Sequence, residues 1–247
     1  LTKFGNGLYA VNVSYDNKTL DVDSKYDGTL KVNISELFAH SVKMGKTFVT
    51  ISVKMDEGPS IYVNAPITLA KLINDIDDLL AIRPTIIDGR PTVTGGTVKE
   101  ENGHKEVVRY YYVLTADIDG DEDGLGVKTV FGGTSFSDEG FASGDGKSGF
   151  VGIFDGNSHT VRNFTLNVRG FFGHVGGGTI ANVTFSDIVL NNPDSAVLGK
   201  LMGATISNVT IANIETAAEL SYTAGIVAYH EIYGSTIDKL TVDLRNG

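Results

Sequence analysis

Four segments, TVRNFTL at 160 to 166, TIANVTF at 179 to 185, TISNVTI at 205 to 211 and TIDKLTV at 236 to 242, carry one pattern. Their first residues, Thr160, Thr179, Thr205 and Thr236, lie 19, 26 and 31 residues apart. Self-similarity on this scale marks a solenoid, in which each unit buries its apolar face only by stacking on the next. The apolar residues of a copy, Ile180, Val183 and Phe185 for example, fall at steps of 3 and then 2. A flat strand alternates with period 2, so the step of 3 requires a corner.

Asn163, Asn182, Asn208 and Lys239 stand just before the second apolar position. Asparagine is the non-glycine residue that best tolerates the left-handed conformation of a sharp bend, and its amide can bond to the amide one coil away. The spacing therefore predicts a short internal ladder of Asn163, Asn182 and Asn208. A second step of 3 follows from Phe185 to Ile188 and from Ile211 to Ile214, across Asp187 and Asn213. Two corners per turn imply a coil with three flat sides.

Small apolar strands precede the copies: Gly152-Ile153-Phe154-Asp155, Gly170-Phe171-Phe172-Gly173, Ala196-Val197-Leu198-Gly199 and Gly225-Ile226-Val227-Ala228. Together these features predict an all-β chain whose main part is a right-handed parallel β-helix, since parallel crossovers are almost always right-handed, with coils about 4.8 Å apart.

The run GIFDGNSHTVRN from Gly152, followed by GFFGHVGGGTIANVTF, resembles the GLUG-type β-helix repeats of bacterial surface and secreted proteins. The similarity extends back to Tyr111-Tyr112-Val113-Leu114-Thr115-Ala116-Asp117-Ile118-Asp119, which looks like the first strand of such helices, and covers residues 67 to 247. The resemblance implies a scaffold without a catalytic motif, in an extracellular or cell-surface setting.

The 247 residues, 41% of them hydrophobic, are enough for one or two domains with sizeable cores. The net charge of -10 argues against nucleic acid or an anionic membrane surface as a partner. No apolar run of 18 residues is present, so no membrane insertion is expected of this sequence. The absence of cysteine removes disulfides and thiolate metal sites. Leu1 opens directly into folded-looking sequence, as in a trimmed mature fragment, and no polar capping unit follows Leu240, Val242 and Leu244. Further sequence or a neighbouring chain is expected to cover that end.

Residues 1 to 66 show short alternating runs separated by turns at Asp16-Asn17, Asp27-Gly28 and Glu57-Gly58-Pro59, with a single helical turn expected at Ser35 to Phe38. They resemble a small immunoglobulin-like β-sandwich. From Thr68, a natural N-cap, the residues Leu69, Leu72, Ile73, Ile76, Leu79 and Leu80 form one stripe at helical spacing, ended by Arg83-Pro84. The stripe predicts a helix over 68 to 81 that caps the N-terminal end of the β-helix. The domain division is thus 1 to 66 and 67 to 247. Thr97 to Arg109 reads as a hairpin closing on Asn102-Gly103, and 132 to 149 as a loop insertion rich in Gly, Ser and Asp.

Asp119, Asp121, Asp123 and Gly124 match the start of a calcium loop, but position 12 is Val130 where a bidentate Glu belongs. They read either as calcium ligands or as a solvated acidic turn. The histidines, His40, His104, His159, His174 and His230, show no paired metal-ligand spacing. The outward threonines, Thr165, Thr184, Thr210 and Thr241 with Thr160, Thr179, Thr205 and Thr236, form a neutral face, and sugar-stacking tryptophans are absent. Tyr110-Tyr111-Tyr112 must alternate in and out, so Tyr111 or its neighbours present a phenol to solvent. No catalytic residue and no required cofactor is expected, calcium excepted. The expected function is a non-enzymatic adhesion, binding or spacer module for a host or matrix protein or a glycan. The alternatives are a β-helix polysaccharide lyase or glycoside hydrolase, and a calcium-stabilised carbohydrate-binding module.

Overall fold

The structure, a computed structural model, describes residues 2–4, 7–15, 18–20, 45–55, 60–82, 84–87, 90–121, 124, 129–131, 149–217, 219, 221 and 224–243. The turns at 16–17, 27–28 and 57–59, the helical turn at 35–38, His40 and the insertion at 132–148 lie outside them. The chain is all-β with parallel sheets, and it divides into two compact units, Leu1–Leu69 and Ala70–Gly247.

The described strands of the first unit form one antiparallel sheet in which Gly7–Tyr15 pairs with Thr2–Phe4, Lys18–Leu20 and Gly45–Met55, and the last pairs with Ser60–Leu69. The expected sandwich needs a second sheet, and residues 21–44 of this unit fall outside the described residues.

The second unit is built from parallel ladders. In the first, Lys71–Ile73, Tyr111–Leu114, Ile153–Asp155 and the starts of Thr179–Leu190, Thr205–Thr216 and Thr236–Asp243 pair one upon the next. Tyr112, Phe154, Ile180, Ile206 and Ile237 share a register column, and the first four are buried. In the second ladder Ile118, Val161, Phe185, Ile211 and Val242 form the corresponding column. A third runs through Thr129–Phe131, Phe164–Leu166, Ile188–Leu190 and Ile214–Thr216. A further three-stranded parallel sheet is formed by His174–Gly176, Gly199–Met202 and Ala228–Tyr233. The core is rich in aromatic contacts: Phe172 meets Phe150 and Phe154 at centroid distances of 5.0 and 5.3 Å, and Phe171 meets Phe164 and Phe185 at 5.5 and 5.3 Å. Offset and edge contacts at these distances add to the apolar area that each ring buries.

Between ladders the chain turns at residues with positive φ. Asn182, Asn208 and Lys239 turn at 52°, 53° and 54°, and Asn163, Asp187 and Asn213 at 60°, 55° and 53°. These are two separate columns. Arg162 aligns with Ser186 and Phe164 with Ile188, so Asn163 shares its corner with Asp187 and Asn213, whereas Asn182 aligns with Asn208 and Lys239. The expected single ladder of Asn163, Asn182 and Asn208 is therefore corrected. Asn208 donates to Asn182 Oδ1 at 3.1 Å, and in the other column Asn213 donates to Asp187 Oδ1 at 3.2 Å. Neither column is internal: the corner side chains are half-buried or exposed, because the left-handed residue falls between inward positions two before it and one after it and so adds a second outward residue to the step.

The capping helix is corrected as well. Only Ile76–Leu80 is helical, with Asp75 rather than Thr68 as its N-cap, accepting from the Asp78 N–H at 2.9 Å. Thr68 and Leu69 end a strand of the first unit, and Lys71–Ile73 is the first rung of the ladder, ahead of Tyr111. Ile73 and Leu79 are buried, but Leu72 is 56% exposed, so the stripe is split between two elements. An isolated helix of this length is marginal in water, and pairing with Tyr112–Leu114 satisfies the backbone instead. The hairpin holds as expected: Gly96–Glu101 pairs with His104–Arg109 across Asn102 and Gly103, both at positive φ.

Candidate functional site

The acidic turn begins where Ile118–Asp119 pairs with Val161–Arg162. Ile118 points inward and is buried, and alternation sends Asp117 and Asp119 outward on either side of it. Asp117 Oδ1 accepts the Thr160 N–H at 2.9 Å and lies 3.2 Å from His159 Nδ1. The backbone donor, with smaller help from His159 and Arg162, holds the Asp117 carboxyl below its usual range.

Asp119 is occupied on both oxygens. Oδ2 accepts from Arg162 Nε at 2.8 Å, and Oδ1 accepts from Asn163 Nδ2 at 2.7 Å and from the Asp121 N–H at 3.0 Å. Partial burial pushes its carboxyl up, but the three donors and the guanidinium charge outweigh that and hold it low. Gly120 then passes so close to the neighbouring strand that a Cβ there would lie 2.1 Å from Asn163 O. Asp119-Gly120 is thus the end of the Asn163 column.

The other column ends in the same way. Asp155 Oδ1 accepts from Asn182 Nδ2 at 3.0 Å and from the Asn157 N–H at 2.9 Å, and a Cβ on Gly156 would lie 2.5 Å from Asn182 O. Tyr111 donates its phenol O–H to Asp155 Oδ2 at 2.6 Å; burial, then the hydrogen bond and charge of Asp155, raises its pKa to about 12. Of the phenols expected from alternation to reach solvent, that of Tyr111 is tied to this carboxylate. An aspartate-glycine pair followed by an N–H that folds back on the carboxylate closes both corners.

No family model, no curated protein and no solved structure matches the chain.

The calcium-like spacing of Asp119, Asp121 and Asp123 therefore coincides with a structural corner, whose first carboxylate is engaged by three donors. Asp123 lies outside the described residues. Among the described residues no group of three or more His, Cys, Asp or Glu side chains lies close enough together to hold a metal ion. His104 opens a hairpin strand, His174 and His230 lie in strands of the three-stranded parallel sheet, and His159 faces Asp117. The threonines also regroup: Thr160, Thr184, Thr210 and Thr241 share one column, Thr179, Thr205 and Thr236 another, and Thr165 aligns with Val189. Sequence reasoning missed the Tyr111–Asp155 bond and the true register. The register had a signal, because Thr184-Phe185-Ser186-Asp187-Ile188 matches Thr160-Val161-Arg162-Asn163-Phe164 as well as Thr179-Ile180-Ala181-Asn182-Val183 does.

Proposed function

We propose that the second unit is a right-handed parallel β-helix of the GLUG type, serving as a non-enzymatic scaffold in a bacterial cell-surface or secreted protein. The first unit, which precedes it in the chain, is read as a small immunoglobulin-like module. The scaffold carries adhesion, ligand binding or rigid spacing, with a host or matrix protein or a glycan as partner. The observation that carries this reading is the use made of Asp119: the residue with the strongest chemical signature in the sequence spends both oxygens on closing a corner. In-register ladders with left-handed corners favour the coiled arrangement. Such a stack buries a continuous core without needing any reactive group.

The test is a pair of assays on the full chain. An array of glycans and matrix proteins is expected to give saturable binding, and a digestion screen of acidic and neutral polysaccharides is expected to give no products. Turnover of any polysaccharide overturns the non-enzymatic reading in favour of a lyase or hydrolase.

A further inference from the structure

At the start of the first ladder a lysine stands in a column of core residues. Lys71 aligns with Tyr112, and beyond it with Phe154, Ile180 and Ile206, all of which point inward. Its Nζ lies 3.8 Å from the centroid of the Tyr110 ring and 5.8 Å from that of Tyr112. No carboxylate pairs with it among the described residues. Burial of part of the side chain holds the amine below the ordinary lysine value.

The lysine opens into a cavity of about 200 Å³ lined by Lys71, Leu72, Ile73, Asp78, Ile82 and Tyr112. That volume equals roughly six or seven waters. The one acidic group on the wall, Asp78, accepts both the N–H and the side-chain amide of Asn74, at 2.9 and 2.8 Å, and these bonds keep it ionised. Lys71 remains exposed as a residue, but a cation that is partly withdrawn from water, faces an aromatic ring and pairs with no carboxylate among the described residues is open to an anion. The exposed Leu72 and the buried Ile73, Ile82 and Tyr112 supply apolar contact beside it.

We propose that this cavity binds a small carboxylate of monosaccharide size, whose acid group pairs with Lys71 and whose body lies against Leu72, Ile82 and Tyr112. The chemistry is shared by a free acid and by a uronate residue at the end of a glycan. The site is separate from the corners, and it does not depend on whether the parallel stack is a scaffold for adhesion or for spacing.

The experiment is titration of the full chain with glucuronate, a glucuronate-ended tetrasaccharide and glucose, followed by calorimetry or chemical-shift changes. Saturable binding of either acid, with glucose weaker by about tenfold or more, is expected from a charge-assisted contact. Preference for the free acid or for the tetrasaccharide tells which source the cavity serves. Lys71→Met keeps the aliphatic stem over the rings and is expected to fold with an unchanged melting temperature while losing about tenfold or more in affinity. Asp78→Asn removes the competing negative charge and is expected to tighten binding by a few-fold, an effect that a purely structural Lys71 would not produce. Equal binding of glucose and glucuronate, an unchanged affinity in Lys71→Met, or no saturation by either acid overturns the proposal.

Discussion

Asn163 donates its side-chain amide to Asp119 Oδ1 at 2.7 Å across 44 residues of chain, and this bond joins the first corner of the column to the strand paired with it. Asn182 and Asp155 repeat the relationship at 3.0 Å across 27 residues. Each corner asparagine thus combines a backbone at positive φ with a side chain that links two paired strands.

Replacing such a residue removes both contributions. Asn182→Leu is expected to cost about 1 to 3 kcal/mol, from left-handed strain and the lost bonds to Asp155 and Asn208. Asn182→Gly relieves the strain and is expected to cost less. Thr184→Val, on the outer face, stays within about 0.5 kcal/mol. Urea midpoints order the three variants; equal losses in all of them would refute the corner assignment.

Phe172 packs against Phe150, Phe154 and Phe185 with none of its surface exposed. Phe172→Ala should destabilise the second unit by about 3 to 5 kcal/mol, whereas Leu72→Ala at the 56% exposed position should cost under about 1 kcal/mol. Thermal unfolding of the two variants compares them directly.

Asp119 and Asp117 have depressed pKa values, so each contributes stability that is present above the ordinary carboxylate pKa of 3.8 and is lost as pH falls through its folded value. Acid titration of unfolding should therefore show a limb that begins near pH 4 and continues below it. Asp119→Asn is expected to flatten that limb. An unchanged acid profile in the variant would show that the corner carboxylate is not ionised in the fold.

Tyr111 has the opposite sign. Its folded pKa of about 12 exceeds the ordinary value of 10.0, so its contribution is fully present below pH 10 and disappears as pH rises toward 12. Tyr111→Phe, followed by alkaline unfolding and by phenolate absorbance, should lose one late-titrating phenol and keep that of the buried Tyr112; loss of no late phenol in the variant would contradict the Asp155 bond.

Calcium is tested by melting with and without chelator. Because the Asp119 oxygens already accept three hydrogen bonds, the midpoint is expected to move by less than about 1 °C. A rise that grows with calcium concentration, as mass action requires of a bound ligand, would make Asp119, Asp121 and Asp123 ligands after all.

At the C-terminal end of the stack, Ile237 and Val242 continue buried columns yet are 40% and 41% exposed, beside Ile232 at 50%. The repeat pattern marked Ile237 and Val242 as inward positions, and their register agrees with it. Whether a residue in such a column is buried depends on what packs over it, which is not a property of its own segment.

The sequence by itself determined where the chain turns. A left-handed corner is a demand on a single residue, and Asn163, Asn182, Asp187, Asn208 and Asn213 meet it wherever the apolar step lengthens to 3. It also determined which side chains face the core, because alternation is local. Only the tertiary structure decided which corner stacks on which. Thr160 can be aligned with Thr179 or Thr184 on equal sequence grounds, and the choice of Thr184 follows from the two additional residues of the Gly156 to His159 turn and from the closure of Asp119 on Asn163. The tertiary structure likewise turned an apolar stripe at helical spacing into a strand and a short helix, and an apparent calcium loop into a corner. In both cases the deciding partners, Tyr112–Leu114 and Asn163, lie about 40 residues away in sequence, and pairing at that range outweighs a local preference worth less than about 1 kcal/mol per residue.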